Sequence, residues 1–257
     1  MAHPFLGLGF NSWSQKFSRP SSGFNIPIIT DGLFMYLDAG AYSGSGTTWS
    51  DLVGSNDAIL VNGPTFVPSD GTTETGDGYF NFDGSDDRAD LDNLVIPAQY
   101  SIHIVVFKDG NTTKIAFIDQ GSIGRTQPVR FYVGDSGAGS GAAGKIKIQH
   151  GRLFAQGGAI GTTQMQKDRW YILTATYDGS DLKLYENGVL TAETTSGTYP
   201  AHSVHTGASI ADHHPDFGSS MKNFPGNFAQ VGVYNRALSQ SEVTQNFNAI
   251  SSKFRLS

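Results

Sequence analysis

From Asp31 onward the chain is a succession of short apolar runs between turn residues: LFMYL, AILV, GYFNF, YSIHIVVF, KIAFID, VRFYV, KIKIQ, WYILTATY, LKLYENG and NFAQVGVYN. Side chains on a strand point alternately to its two faces. Tyr100, Ile102, Ile104 and Val106 therefore share one face, and Ile146 and Ile148 point inward from another strand. Asn187-Gly188 is a two-residue hairpin turn of the kind that requires positive φ at both positions. About ten strands with antiparallel turn chemistry and no helical interlude predict an all-β, two-sheet antiparallel sandwich.

The period changes once, in VGVYNRALSQSEVTQNFNAI. Ser239 and Glu242 form an S-x-x-E capping box, and Leu238 and Val243 flank it as a hydrophobic staple. Val243, Phe247 and Ile250 then line one face of a helix of about three turns. So short a helix can bury its stripe only against the sandwich before it, and it is predicted to act as a clasp.

Residues 1–30 follow neither period. Phe5, Leu6, Leu8, Phe10, Trp13, Phe17 and Phe24 are scattered among Pro, Ser, Gly and Asn, and Pro4, Pro20 and Pro27 favour extended backbone. Two readings are open, an irregular arm over an edge of its own domain or an arm docked on another subunit. Seven large apolar side chains left in water promote aggregation, so the expectation is an arm over 1–30 that anchors a domain over 31–257 to a partner.

Composition narrows the classes. Among 257 residues, 32 glycines suit many tight turns, and 38% hydrophobic residues suffice for a core. The net charge of −6 lacks the basic balance of a nucleic-acid binder. No apolar run is long enough to cross a bilayer. There is no cysteine, hence neither disulfide framework nor thiolate chemistry. MAHPFLGLGFNSWSQKF lacks a basic start followed by an unbroken apolar run, so export by the general secretory route is not expected.

GLFMYLDAGAYSGSGTTWSDLVGSNDAILVNGPTF, GYFNFDGSDDRADL, WYILTATYDGSDLKLYENGVL and FAQVGVYNRALSQSEVTQNFNA resemble, in that order, segments of concanavalin A-like, laminin-G-type jelly rolls, from about residue 32 to residue 250. F-x-F-D-G-S-D-D and Y-N-R-A-L-S-x-x-E carry the resemblance in combination. It implies a jelly roll that binds carbohydrate or protein, with a helix after the last strand and in some members a rim calcium. Asp38 and Asp51 occupy the matching early segments for that ion, although Gln230 stands where many relatives place an acid, and an incomplete ligand set lowers affinity. Some relatives are glycoside hydrolases, and many chains of this type resemble bacteriophage structural proteins.

Glycoside hydrolysis needs two carboxylates across the scissile bond. The four glutamates are Glu74, Glu186, Glu193 and Glu242; none shares a strand with a suitably spaced second acid, and Glu242 is committed to the cap. Asp83, Asp86, Asp87, Asp90 and Asp92 fall in a predicted turn without EF-hand spacing. His202, His205, His213, His214 and Asp216 offer imidazole for zinc or nickel, but adjacent histidines in a Gly/Pro loop read better as surface. GDSGAGSGAAGK precedes no amphipathic helix, so it is a loop rather than a phosphate cradle.

The expectation is a non-enzymatic virion protein: a bacteriophage capsid decoration, fibre or tail component. Its arm would meet coat or tail subunits and its lectin-like domain host-surface glycans. It would need no cofactor beyond the calcium candidate, and self-association stays open. The alternative is a free carbohydrate-binding module of a cell-surface or secreted protein, and the third class is a glycosidase.

Overall fold

The computed structural model describes residues 27–72, 76–109, 115–120, 129–134, 143–150, 158–195, 206–212 and 223–256. The strands are β1 (Leu33–Asp38), β2 (Thr48–Trp49), β3 (Ala58–Val61), β4 (Thr65–Pro68), β5 (Gly78–Asp83), β6 (Arg88–Leu91), β7 (Tyr100–Lys108) and β8 (Ile115–Asp119). They continue as β9 (Val129–Val133), β10 (Lys145–His150), β11 (Gly158–Gln164), β12 (Arg169–Tyr177), β13 (Asp181–Glu186), β14 (Val189–Thr195), β15 (Ala208–Ile210) and β16 (Pro225–Tyr234). The helix α1 (Gln240–Ile250) follows β16, and among the described residues no helix is long and apolar enough to cross a membrane.

These strands make two antiparallel sheets. The first runs β14-β13-β12-β7-β16-β5-β4, with β1 alongside the second half of β16 where β5 leaves off. The second runs β11-β10-β9-β8-β15-β6-β3-β2. This is the expected jelly-roll sandwich. Strands β2, β4, β6, β11 and β15 lay outside the recognised runs because each is short or polar, held by its neighbours rather than by its own pattern. Asp90, expected in a turn, lies on β6; residues 84–87 alone make the turn before it. The glycine-rich stretch joins β9 to β10, an antiparallel pair, and lies mostly outside the described residues.

The space between the sheets is filled as the alternation requires. Tyr100, Ile102, Ile104 and Val106 of β7 meet Ile146 and Ile148 of β10, Val231 and Val233 of β16, and Phe131 of β9, all buried. Each such side chain contributes roughly 1.5–3 kcal/mol of transfer free energy. Asn187 (φ 52) and Gly188 (φ 79) both take the positive φ expected of the hairpin.

The other face of β7 is buried as well. There Val105, Trp170, Ile172 and Ala229 pack against Ile250 and Phe254, and Trp170 meets Phe254 at 4.6 Å between ring centroids. The clasp therefore covers the outer face of the first sheet. Ser239 and Glu242 cap each other as expected, and Leu238 and Val243 pack together with Tyr185 and Tyr234. One detail differs: Phe247 is half-buried, and Asn246, 1% exposed, sits at the centre of the inward face.

Of residues 1–30, those through 26 lie outside the described part, which includes Phe5, Leu6, Leu8, Phe10, Trp13, Phe17 and Phe24. Residues 27–30 lie against the clasp. Ile28 packs with the Trp170 cluster and Ile29 with the Tyr234 cluster. Gln245 Nε2 donates to the Pro27 carbonyl at 2.9 Å.

Candidate saccharide groove and the family

The two sheets meet along one side, where edge strand β11 faces the β13–β14 hairpin. Thr194 Oγ1 of β14 donates to the Gly158 carbonyl of β11 at 3.2 Å, closing the lower part of that seam. Above it the seam opens into a groove of about 660 Å³. Thr162, Thr163 and Gln164 form one wall, Glu186, Asn187 and Thr191 the other, and Gln166, Arg169 and Tyr171 the end.

Glu186 is the last residue of β13, where the strand leaves the shelter of the core. Thr191 Oγ1 donates to its Oε1 at 3.1 Å and Thr163 Oγ1 to its Oε2 at 3.2 Å. Opposite stands Gly161 of β11, where an added Cβ would fall 2.0 Å from Glu186 Oε1. The glycine is the seat of the carboxylate. Burial pushes the Glu186 carboxyl above its ordinary value, and the threonine hydroxyls only partly offset this. Tyr171, half-buried, accepts from the Gln166 amide N–H at 2.7 Å, which fixes its ring at the end of the groove. The set comprises an acceptor-only carboxylate, hydroxyls and amides that donate and accept, and one aromatic ring.

A second groove of about 480 Å³ lies at the other end of the sandwich, with Tyr42 and Phe66 half-exposed over the buried Phe80 and a rim of Gly44, Ser45, Gly46, Asn62 and Gly63. Tyr42 packs edge-on to Phe66 and Phe80 at centroid distances of 5.0 and 4.9 Å. Its two exposed rings serve first to seal the core end.

Asp38 and Asp51 come near one another through β1, but both carboxylates face hydrogen-bond donors. Asp51 accepts the backbone N–H of Tyr36 at 2.9 Å, Val53 at 3.1 Å and Asn56 at 3.0 Å. Burial raises its carboxyl, yet these backbone donors outweigh it and the net shift is downward. Asp38 accepts from Gly40 N at 2.9 Å and Gln230 Nε2 at 3.1 Å, and burial holds its carboxyl above the ordinary value. Gln230, noted as standing where relatives carry an acid, thus orients Asp38.

Asp83, Asp86 and Asp87 do cluster, all within ligand distance of one another. Asp83 accepts from Ser85 N at 2.7 Å, and Asp87 from Asp83 N at 3.0 Å, the bonds of an acidic turn. Asp90 is separate: its carboxylate takes Ser209 Oγ at 2.6 Å and Arg88 Nε at 3.0 Å. In register beyond Ser209 come Asp119 and Arg130, paired at 3.0 Å, so these buried polar groups tie the second sheet together. His202, His205, His213, His214 and Asp216 lie outside the described residues.

The reading from sequence counted Glu186 only as an acid without a partner and passed over Thr163, Gln166 and Tyr171. Gly161 inside a strand was the available signal, since an interior glycine marks a close approach.

Residues 83–244 match the laminin-G-type profile of the concanavalin A-like lectin/glucanases superfamily, and the chain belongs to that family. No curated protein matches significantly. Among solved structures, the binding domain of Paraclostridial Mosquitocidal Protein 1 is similar with a TM-score of 0.64 and 14% identity, over 85% of this chain and 52% of that one. Domain 4 of AbnA, a GH43 extracellular arabinanase from Geobacillus stearothermophilus solved with arabinotriose, gives 0.60 and 18%, over 83% and 97%. A Trypanosoma rangeli sialidase in complex with 2,3-difluorosialic acid gives 0.63 and 15%, over 91% and 35%. The chain spans about a third of the sialidase chains it matches. Likeness at such identities establishes a common fold.

Proposed function

We propose that the protein is a non-enzymatic, glycan-binding jelly-roll domain displayed on the outside of a particle, and that the groove around Glu186 and Tyr171 is its ligand site. The observation that carries this is the seated carboxylate. Placing an acid where burial raises its pKa costs stability, and the fold keeps a glycine opposite to make room for it. Among the described residues Glu186 is the one carboxylate lining that groove, whereas hydrolysis of a glycosidic bond uses two, which supports binding rather than cleavage. The structurally similar binding domain of the mosquitocidal protein and the arabinanase domain solved with arabinotriose are consistent with it.

The setting we propose is a bacteriophage decoration, fibre or tail component, with the seven apolar residues of the N-terminal arm meeting coat or tail subunits. No cofactor is required in this reading. A glycan-array screen of the purified protein, paired with a reducing-sugar assay on whatever binds, tests the function. Binding without sugar release supports it; release that disappears in Glu186→Gln overturns it in favour of a glycosidase. Deleting residues 1–26 tests the setting, since the deletion should abolish incorporation into particles. A free carbohydrate-binding module would not co-purify with particles at all.

A further inference from the structure

Resting on the carbohydrate-binding reading of this groove, we propose that Glu186 is its specificity-determining residue, selecting uncharged saccharides and rejecting those that carry a carboxylate or sulfate. At neutral pH a carboxylate only accepts hydrogen bonds. Thr191 Oγ1, which also reaches the Leu184 carbonyl at 3.3 Å, gives one bond to Oε1 and Thr163 gives one to Oε2, fewer than the roughly four that a carboxylate accepts. Two neighbouring sugar hydroxyls can donate to the remaining sites together. A carboxylate or sulfate on the ligand has no proton to give and brings a second negative charge to the same spot.

The geometry holds the charge in place. Gly161 leaves room for Oε1 where any side chain would collide with it, so the carboxylate is fixed by both walls. Both partners that hold Glu186 are neutral hydroxyls. Among the described residues, the groups that hydrogen-bond its carboxylate carry no positive charge. Arg169 also lines the groove, but it is exposed, and an ion pair made there is screened by water. Among the described residues the remaining polar lining, Thr162, Gln164, Gln166 and Asn187, is uncharged and suits hydroxyl ligands. Tyr171 offers a ring for the apolar face of a pyranose or furanose, as aromatic residues do in polar sites.

The test is calorimetric titration of the full chain with neutral trisaccharides of arabinose, glucose, mannose and galactose, beside trigalacturonate and sialyllactose. The proposal expects at least one neutral trisaccharide to bind and both acidic ligands to bind roughly 30-fold or more weakly, the discrimination a like charge brings at short range. Glu186→Gln keeps the shape, removes the charge and should narrow that gap to within about threefold. Gly161→Ala displaces the carboxylate from the opposite wall and gives a second readout should Glu186→Gln fold poorly. Acidic ligands binding as tightly as neutral ones, or a gap unchanged in both variants, overturns the selectivity while leaving saccharide binding intact. No binding by any member of the panel overturns the carbohydrate reading as well.

Discussion

Asn246 Nδ2 of the clasp donates to Tyr234 Oη of the last strand at 3.0 Å, and between them they hold both backbone groups of Ile29. Ile29 N–H donates to Asn246 Oδ1 at 2.7 Å, and Tyr234 Oη donates to the Ile29 carbonyl at 2.9 Å. A polar residue at the centre of a buried helix face is stable because both its amide oxygen and its amide nitrogen have a partner. Asn246→Ala leaves a backbone donor and a tyrosine hydroxyl short of partners, and should cost about 2–3 kcal/mol in urea denaturation. Phe247→Ala, at the half-buried edge beside Gly188, should cost less, about 1–2 kcal/mol. The reverse order would show that the apolar stripe, not the polar centre, holds the clasp.

The same contacts set where the domain starts. A chain beginning at residue 27 should melt with the parent, because every contact above is retained. One beginning at residue 31 loses the Ile28 and Ile29 packing with both Ile29 bonds, and should melt several degrees lower, since about 1 kcal/mol shifts a domain of this size by roughly 2–4 °C. Equal melting of the two would mean that residues 27–30 add nothing to stability.

His103 makes stability fall with acid. It lies on the outer face of β7 between Thr174 and Gly232 of the neighbouring strands; Nδ1 is 3.0 Å from Thr174 Oγ1, and Nε2 is enclosed without a hydrogen bond. Burial lowers its pKa from 6.5 to about 4. The unfolded chain takes up the proton first, so stability is full above pH 6.5 and declines as pH falls through 4, by about 3 kcal/mol in total. Glu242 acts lower, its pKa held down to about 2 chiefly by Arg236, so its contribution is lost between 4.5 and 2. His103→Gln should flatten the upper window and spare the lower. A profile unchanged by that substitution would place the acid sensitivity elsewhere.

Chelation should leave the melting temperature unchanged. Asp51 spends its oxygens on the N–H groups of Tyr36, Val53 and Asn56, and Asp38 spends its own on Gly40 and Gln230. Calcium asks for several oxygens left free to turn toward it. A drop of several degrees with chelator, restored by calcium, would show that an ion is held, either by one of these acids giving up its donors or by the turn of Asp83, Asp86 and Asp87.

The parts of the molecule legible in the sequence are those where one segment carries its own signal. Ile102, Ile104 and Val106 alternate, Asn187-Gly188 carries its turn chemistry, and Ser239 with Glu242 carries its cap. What escaped depends on partners far along the chain. Asn246 looks like a solvent residue until Ile29 arrives more than two hundred positions away. Gly161 and Glu186 meet only because two sheet edges close on each other, and neither strand's own pattern reports that meeting. Asp90 reads as a turn residue among other aspartates until Ser209 and Arg88 pair with it on the second sheet.

Backbone amide chemical shifts, followed while a bound neutral trisaccharide is titrated into the full chain, locate the ligand directly. Perturbations concentrated in residues 162–166 and 186–191, with Tyr171 between them, are the result this account predicts. Perturbations gathered instead around Tyr42, Gly46 and Asn62, with the Glu186 region silent, would contradict it.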